Sequence, residues 1–325
     1  MMRKTNLQLV EECDSFPYYD RDPAFYTEHL KKYHAFKING CPAILGYLLN
    51  EVVEKFYWIP GDWHVDSAAR TVTLMAAPDA TPQERSEIMS RLLAEAVRRE
   101  TFAVLKGWRH EKYPIYGPGG EFLMDMERSA SPLFGIVTYG VHMTGYVEDE
   151  QHGIRIWVAR RSRTKQTYPG YLDNTAAGGL STGEHPFQCA IREAAEEASI
   201  PADVFRRCAT PAGCVSYFYV RDARAGGETG LLQPEVEYVY DIKLDADQIP
   251  KPSDTEVEDF RLWTVDEVKE SLARGEWKPN CAVVVLDFFI RHGILTPENE
   301  PDYLEILSRL HRRLEFPLVT RFVSS

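Results

Sequence analysis

The segment 178–200 constrains this chain most. It sets Gly178, five residues, Glu184, seven residues, then Arg192-Glu193 and Glu196-Glu197. Glu193, Glu196 and Glu197 are offset by three and four residues, so on an α-helix they are surface neighbours, with about 5–6 Å between Cβ atoms. Carboxylates that close repel one another unless positive charge sits among them. Arg192 supplies one such charge. A hard divalent cation, Mg²⁺ or Mn²⁺, would supply the rest, because such ions take oxygen ligands and keep waters and substrate phosphates in their shell.

The other face of the same segment is apolar. Phe187, Ile191, Ala194 and Ala198 recur at offsets of four, seven and eleven, which predicts one stripe of a helix turned to a core. Glu184 precedes the helix in a loop with Gly178, Gly179 and Gly183, residues that allow tight turns and close approach of main chain to a ligand. An E-x-x-E-E run alone is ordinarily a solvated helix face. The glycine loop, the separate Glu184 and the adjacent Arg192 together favour a cleft that handles a metal and a phosphate.

The pattern resembles the Nudix box, G-x(5)-E-x(7)-R-E-U-x-E-E-x-G-U, where U is aliphatic. Two positions depart from it: Ala194 stands for the first aliphatic residue, and Ser199 for the last glycine. A glycine there would end the helix in a left-handed conformation, which serine adopts only with some strain. The resemblance implies an α/β/α sandwich and a metal-dependent hydrolase of nucleoside diphosphates linked to another moiety, or of similar diphosphates. It implies that Glu196 and Glu197 are the principal metal ligands and that Glu193 is a further ligand or the base that orients water. Arg192 would hold these acids, the Ala177 carbonyl would complete the metal shell, Gly178 opens the box and Glu184 supports it. A metal-activated water would then attack phosphorus. The stretch before the glycines also resembles isopentenyl diphosphate isomerase. The cysteine and histidine that reaction needs are replaced here by Ala177 and Gly179, which leaves hydrolysis.

At 325 residues the chain exceeds the usual single domain, and two domains are expected. A net charge of −12 argues against affinity for nucleic-acid backbones. Cys13, Cys41, Cys189, Cys208, Cys214 and Cys281 show no C-x-x-C spacing, and with no secretory segment they read as thiols in a reducing compartment. No apolar run reaches the length needed to span a bilayer; the longest is broken by Asp287. The expectation is a cytoplasmic protein with a small-molecule diphosphate substrate, with no nucleic-acid or membrane partner, and with its oligomeric state open.

A boundary is predicted near 117–132, where Gly117-Pro118-Gly119-Gly120 and Ser129 to Pro132 flank a short segment. This gives a smaller α+β module over 1–130, the hydrolase domain over 131–295 and a helical tail over 296–325. In the first module, Thr81-Pro82-Gln83-Glu84 is a capping box. It opens a helix to about Glu100 with Ile88, Leu92, Leu93, Ala96 and Val97 inward. Residues 64–65 and 70–74 read as a hairpin, and 42–56 as a strand or a helix. Downstream, 136–147, 154–159, 215–220 and 236–244 alternate like strands. A second sandwich helix is expected over 281–290 and a tail helix over 301–314, with Tyr303, Leu304, Ile306, Leu307 and Leu310 as its apolar set.

Three further clusters are candidates. One or two of Arg160, Arg161, Arg163 and Lys165 are expected to hold terminal phosphates as charge-assisted donors, against the plainer reading of a solvated basic loop. Glu235 and Glu237 are two apart on a predicted strand, hence on one face, and one of them could reach the metal cleft. Asp254, Glu256 and Glu258 precede Phe260 and could read a substrate ring.

Beyond the box, 157–162, 234–241, 278–281 and 287–294 resemble the thiamine pyrophosphokinase-related Nudix proteins. That resemblance implies a hydrolase taking thiamine diphosphate, especially its oxo and oxy forms, to the monophosphate. The alternatives are a nucleotide substrate (ADP-ribose or an oxidised nucleoside triphosphate) or a non-catalytic diphosphate-binding module. A flat ring needs aromatic surface, for which Trp58, Trp63, Trp108, Tyr113 and Tyr116 are candidates beside their plainer role as core.

Overall fold

The computed structural model describes residues 3–253 and 255–320. In chain order the first part contains α1 (Asn6–Cys13), α2 (Pro23–Leu30), β1 (Tyr33–Ile38), β2 (Gly46–Leu49), α3 (Asn50–Lys55), β3 (Trp63–Asp66), β4 (Thr71–Leu74), α4 (Pro82–Arg98), β5 (Lys112–Tyr116), β6 (Phe122–Glu127) and α5 (Ser131–Phe134). The capping box forms as expected: Glu84 N–H donates to Thr81 Oγ1 at 3.3 Å, and Thr81 N–H donates to Glu84 Oε2 at 2.7 Å. From that start α4 turns Ile88, Met89, Leu92, Leu93 and Ala96 inward. Val97, expected with them, lies on the solvent side, 100° beyond Ala96 on the helical wheel. Four strands in the order β2-β1-β4-β3 form the first sheet, and β3–β4 is the expected hairpin. The ambiguous stretch 42–56 contains both a strand, β2, and a helix, α3.

The glycine-rich 117–120 stretch is a hairpin turn. It joins β5 to β6, which pair antiparallel, and the turn closes through Gly117 N–H to Glu121 O at 2.7 Å. Phe36, Leu48, Leu74, Met89, Leu92, Phe102 and Phe134 fill the core of this part.

The second part holds β7 (Thr138–Asp149), β8 (Gly153–Arg161), β9 (Leu172–Asp173), β10 (Ala176–Gly179), α6 (Pro186–Ala198), α7 (Ala202–Cys208), β11 (Ala209–Val220), β12 (Leu232–Lys243), β13 (Val257–Thr264), α8 (Val265–Ala273), α9 (Pro279–Arg291) and α10 (Tyr303–Leu310). The second sheet runs β11-β12-β7-β8-β13, with β10 on β7 and β9 on β8; β12 and β7 are parallel. One face packs Val141, Met143 and Ala176 against Ile191, Ala194 and Phe205 of α6 and α7. The other packs Val158, Val215 and Val239 against Val284, Val285 and Phe288 of α9. This is the expected mixed α/β sandwich, with a separate smaller module before it.

Two helices have instructive ends. Ser199 does close α6 in the left-handed region, at φ 53°; Ile200 N–H reaches Ala194 O at 3.0 Å, and Ser199 Oγ donates to Lys251 O at 2.9 Å. Helix α10 is shorter than expected, because after Leu310 the chain joins β11: Arg312 N–H donates to Ser216 O at 3.1 Å. Leu304 is 78% exposed and leaves the apolar set, whereas Ile306 and Leu310 are buried. The tail then meets the first helix, where Arg309 and Arg312 both pair with the buried Asp14. No helix among the described residues is long and apolar enough to cross a membrane.

Candidate active site

A cavity of about 960 Å³ opens between the two parts. The box lines one end of it through Ala177, Gly178, Glu184, Arg192, Glu193, Glu196 and Glu197. The amphipathic pattern of α6 explains the placement: its apolar stripe is held by the sheet, so the residues between the stripe positions must face the cleft. Two glycines permit the close packing. A Cβ at Gly178 would collide with the Glu193 carboxyl, and one at Gly140 on β7 would collide with the Glu237 carboxyl.

Arg192 is the hub of the acids. Its Nε and Nη2 donate to Glu184 at 2.9 and 3.0 Å, and its Nη1 donates to Glu193 at 2.8 Å and to Glu196 at 3.0 Å. Glu197 instead accepts the Ala177 N–H at 2.9 Å. Burial pushes the Glu193 carboxyl up to about 7, although Arg192 pulls the other way. Burial, with the charge of Asp173 next, also raises Glu197. In both acids burial thus disfavours the charged form.

The cavity floor comes from β11 and β12. Glu235 and Glu237 both line it, as their spacing predicts. The Tyr217 hydroxyl lies 2.6 Å from Glu235 Oε2 and 3.0 Å from Glu237 Oε1, and Thr138 Oγ1 donates to Glu235 Oε1 at 2.9 Å. Burial and the charge of Glu237 raise Glu235. Burial works against the Glu237 charge too, but His142, with Nε2 3.6 Å away, together with Lys278 and the Tyr217 hydroxyl holds that carboxyl low. Glu237 Oε2 is buried with no hydrogen-bond partner.

The basic cluster divides. Lys165 lines the cavity, paired with Glu256, which also lines it and lies 3.7 Å from Arg109. Arg161 lines it as well, but its donors are spent on the protein: Nη1 on Asp173 at 2.6 Å, Nε on Tyr168 O at 3.2 Å and Nη2 on Thr167 O at 3.0 Å. Arg160 turns instead to Gly170 O at 3.0 Å, and Arg163 is exposed, 3.8 Å from Glu258. Neither borders the cavity, so only half of the expected cluster faces it. Asp254 lies outside the described residues.

Four of the five aromatic candidates keep the plainer packing role. Trp63 lies in the core of the first part, Trp58 and Trp108 pack against that core half-buried, and Tyr116 packs on Tyr139. Of the five candidates only Tyr113 reaches the cavity; the other rings there are Tyr139, Tyr168, Tyr217 and Tyr219. Sequence reasoning missed these, together with Arg128, His142, Arg221 and Gln233. The alternation 217, 219, 221 and 233, 235, 237 carried a usable signal. Nothing in the sequence pointed to Arg128, which pairs with Glu111 at 2.8 Å.

Among the described residues, no three His, Cys, Asp or Glu side chains converge closely enough to hold an ion as they stand. The donor set nonetheless fits a hard cation: all its members offer oxygens, and the buried, unpartnered Glu237 Oε2 lies in the same cavity as Glu193 and Glu197. Glu193, Glu196, Glu197 and the Ala177 carbonyl are the groups that would hold it.

Residues 138–282 match the NUDIX domain family, and residues 7–138 match a domain of unknown function, DUF4743. The uncharacterized protein YJR142W of Saccharomyces cerevisiae is 42% identical over 238 residues, which cover 72% of this chain and 69% of that protein. Nudix hydrolase 20, chloroplastic, of Arabidopsis thaliana is 32% identical over 297 residues, covering 89% of this chain and 69% of that one. Nudix hydrolase 24, chloroplastic, of the same plant is 32% identical over 231 residues, covering 70% and 60%. A solved structure, DR0079 from Deinococcus radiodurans, aligns with 55% of this chain and 99% of that one at 20% identity and a TM-score of 0.41. The chain belongs to the Nudix hydrolase family and is an enzyme of that class. Such hydrolases generally use divalent metals such as Mg²⁺.

Proposed function

We propose that this hydrolase cleaves a thiamine-type diphosphate, above all the oxo and oxy forms, to the monophosphate and inorganic phosphate. The observation that carries this reading is the cavity itself, which brings the box acids together with Tyr113, Tyr139, Tyr168, Tyr217 and Tyr219 within about 960 Å³. That volume lies in the range of small-ligand sites, and tyrosine faces suit a flat ring. The sequence resemblance of four stretches to thiamine pyrophosphokinase-related proteins supports the choice of ring.

In this reading one water adds to phosphorus, the bridging P–O bond breaks, and the water's proton passes to a carboxylate of the box. Bound Mg²⁺ would activate that water and neutralise charge on the phosphate oxygens. Glu193, already raised by burial, is the group we assign to hold the water and take its proton. Arg192 keeps the acids apart, and Lys165 offers a cation to the phosphates. We assign hydrolysis to residues 131–295 and substrate selection to 1–130, because Lys106, Arg109, Tyr113 and Arg128 of the first part line the cavity. The described part of the tail, 296–320, packs on the body through Ile306, Leu310, Leu314 and Phe316. A reducing location, the cytoplasm, goes with six unpaired cysteines.

The test is a hydrolysis panel with Mg²⁺ containing thiamine, oxythiamine and oxothiamine diphosphates, ADP-ribose and 8-oxo-dGTP, read as kcat/KM. The reading requires an oxy or oxo diphosphate to rank first. A nucleotide in first place overturns it, and binding without turnover of any compound would indicate a sensor.

A further inference from the structure

The end of the cavity remote from α6 has chemistry that hydrolysis leaves unused. Tyr217, Tyr219 and Arg221 line the cavity at every second residue, and so do Gln233, Glu235 and Glu237. The two series run side by side, because Tyr217 pairs with Glu235 and Tyr219 with Gln233. At about 3.3 Å per residue, Gln233 lies about 13 Å along β12 from Glu237. The floor therefore begins among the acids and ends at a guanidinium and an amide.

Arg221 is held by neutral oxygens. Nη1 donates to Gln233 Oε1 at 2.9 Å, and Nη2 to the carbonyls of Ala225 and Gly226 at 2.8 and 2.7 Å. Its Nε is buried and lacks an acceptor. Among the described residues no carboxylate forms an ion pair with it, although a buried charge without a counter-charge is costly. Gln233, having given its carbonyl to Arg221, has only its NH₂ left to offer. This corner thus presents hydrogen-bond donors.

We propose that Arg221 and Gln233 are the specificity-determining pair of this enzyme, reading a ring edge that presents acceptors, such as a carbonyl oxygen, and rejecting the same edge bearing an amino group. A donor facing a donor leaves both unpaired, and a site built on hydrogen bonds discriminates far more strongly than one built on shape. The assignment rests on the diphosphate-hydrolase reading of the other end of the cavity, and not on which ring diphosphate is the substrate.

The experiment compares oxythiamine diphosphate with thiamine diphosphate, which carries an amino group in place of the carbonyl, using isopentenyl diphosphate as a ring-free reference. Gln233→Glu keeps the side-chain length and an acceptor for Arg221, while it removes the donor and neutralises the guanidinium. The carbonyl-to-amino ratio of kcat/KM should fall about tenfold or more, mainly through KM. The loss on the carbonyl substrate should exceed any loss on the ring-free one. An unchanged ratio in folded Gln233→Glu, or an equal loss on all three compounds, overturns the proposal. Should that variant not fold, Gln233→Met removes the donor without a charge and must lower the same ratio. If the wild type cleaves neither thiamine compound, the substrate reading has failed by itself. The ratio is then measured on uridine and cytidine diphosphates, which differ by the same exchange, and enzyme that cleaves none of these rings overturns both claims.

Discussion

The two ends of the cavity are built on opposite principles. At the α6 end acids outnumber cations, and one guanidinium is shared among Glu184, Glu193 and Glu196. At the β11–β12 end a guanidinium lies among carbonyls and an amide. The first arrangement is a charge deficit that a cation relieves, so its residues act as a unit. The second offers donors to a neutral or acceptor-bearing group. Damage at the first end should therefore appear in turnover, and damage at the second in KM.

The largest effect should come from Glu197→Gln, which keeps shape and removes charge. Turnover should fall about 10²–10⁴-fold at saturating Mg²⁺, with the melting temperature maintained because a buried charge has been removed. Near-wild-type turnover would break the contrast between the ends. Arg192→Lys comes next. A single ammonium cannot reproduce four directed contacts, and losing one or two charge-assisted hydrogen bonds costs about 1.5–3 kcal/mol, or about 10–100-fold in kcat. Steady-state kinetics should show this with KM little changed.

Trp108→Ala sharpens the boundary of the second end. Trp108 packs on the first core and does not line the cavity. Its truncation should cost about 2 kcal/mol of stability, roughly half the loss for a fully buried aromatic, and leave KM alone. A raised KM in the folded fraction would extend the substrate end to this residue. The smallest effect belongs to Ser199→Gly. Glycine relieves the left-handed backbone but forfeits the hydroxyl bond to Lys251 O, so the shift should stay within about 1 kcal/mol, measurable by chemical denaturation.

The α6 end was legible because helical periodicity and box spacing are local properties of 178–200. The capping box at Thr81 was legible for the same reason. The glycines of 117–120 were not, because a linker and a hairpin turn share a composition and only the pairing of β5 with β6 separates them. Nor was the choice among Arg160, Arg161, Arg163 and Lys165, since which basic residue faces the cavity depends on how the loop folds back on Tyr168 and Asp173. The far end needed β11 and β12 in register, a long-range fact. Its tyrosines alternate in the sequence, but alternation alone does not say which face is the cavity.

The central claim is that the acids of α6 form a metal-dependent hydrolytic centre. Its most direct test is phosphate release from oxythiamine diphosphate by metal-stripped protein as Mg²⁺ is added back. The account predicts no turnover without the cation and a saturable recovery with it, a recovery lost in Glu197→Gln. Undiminished hydrolysis in excess chelator would contradict it.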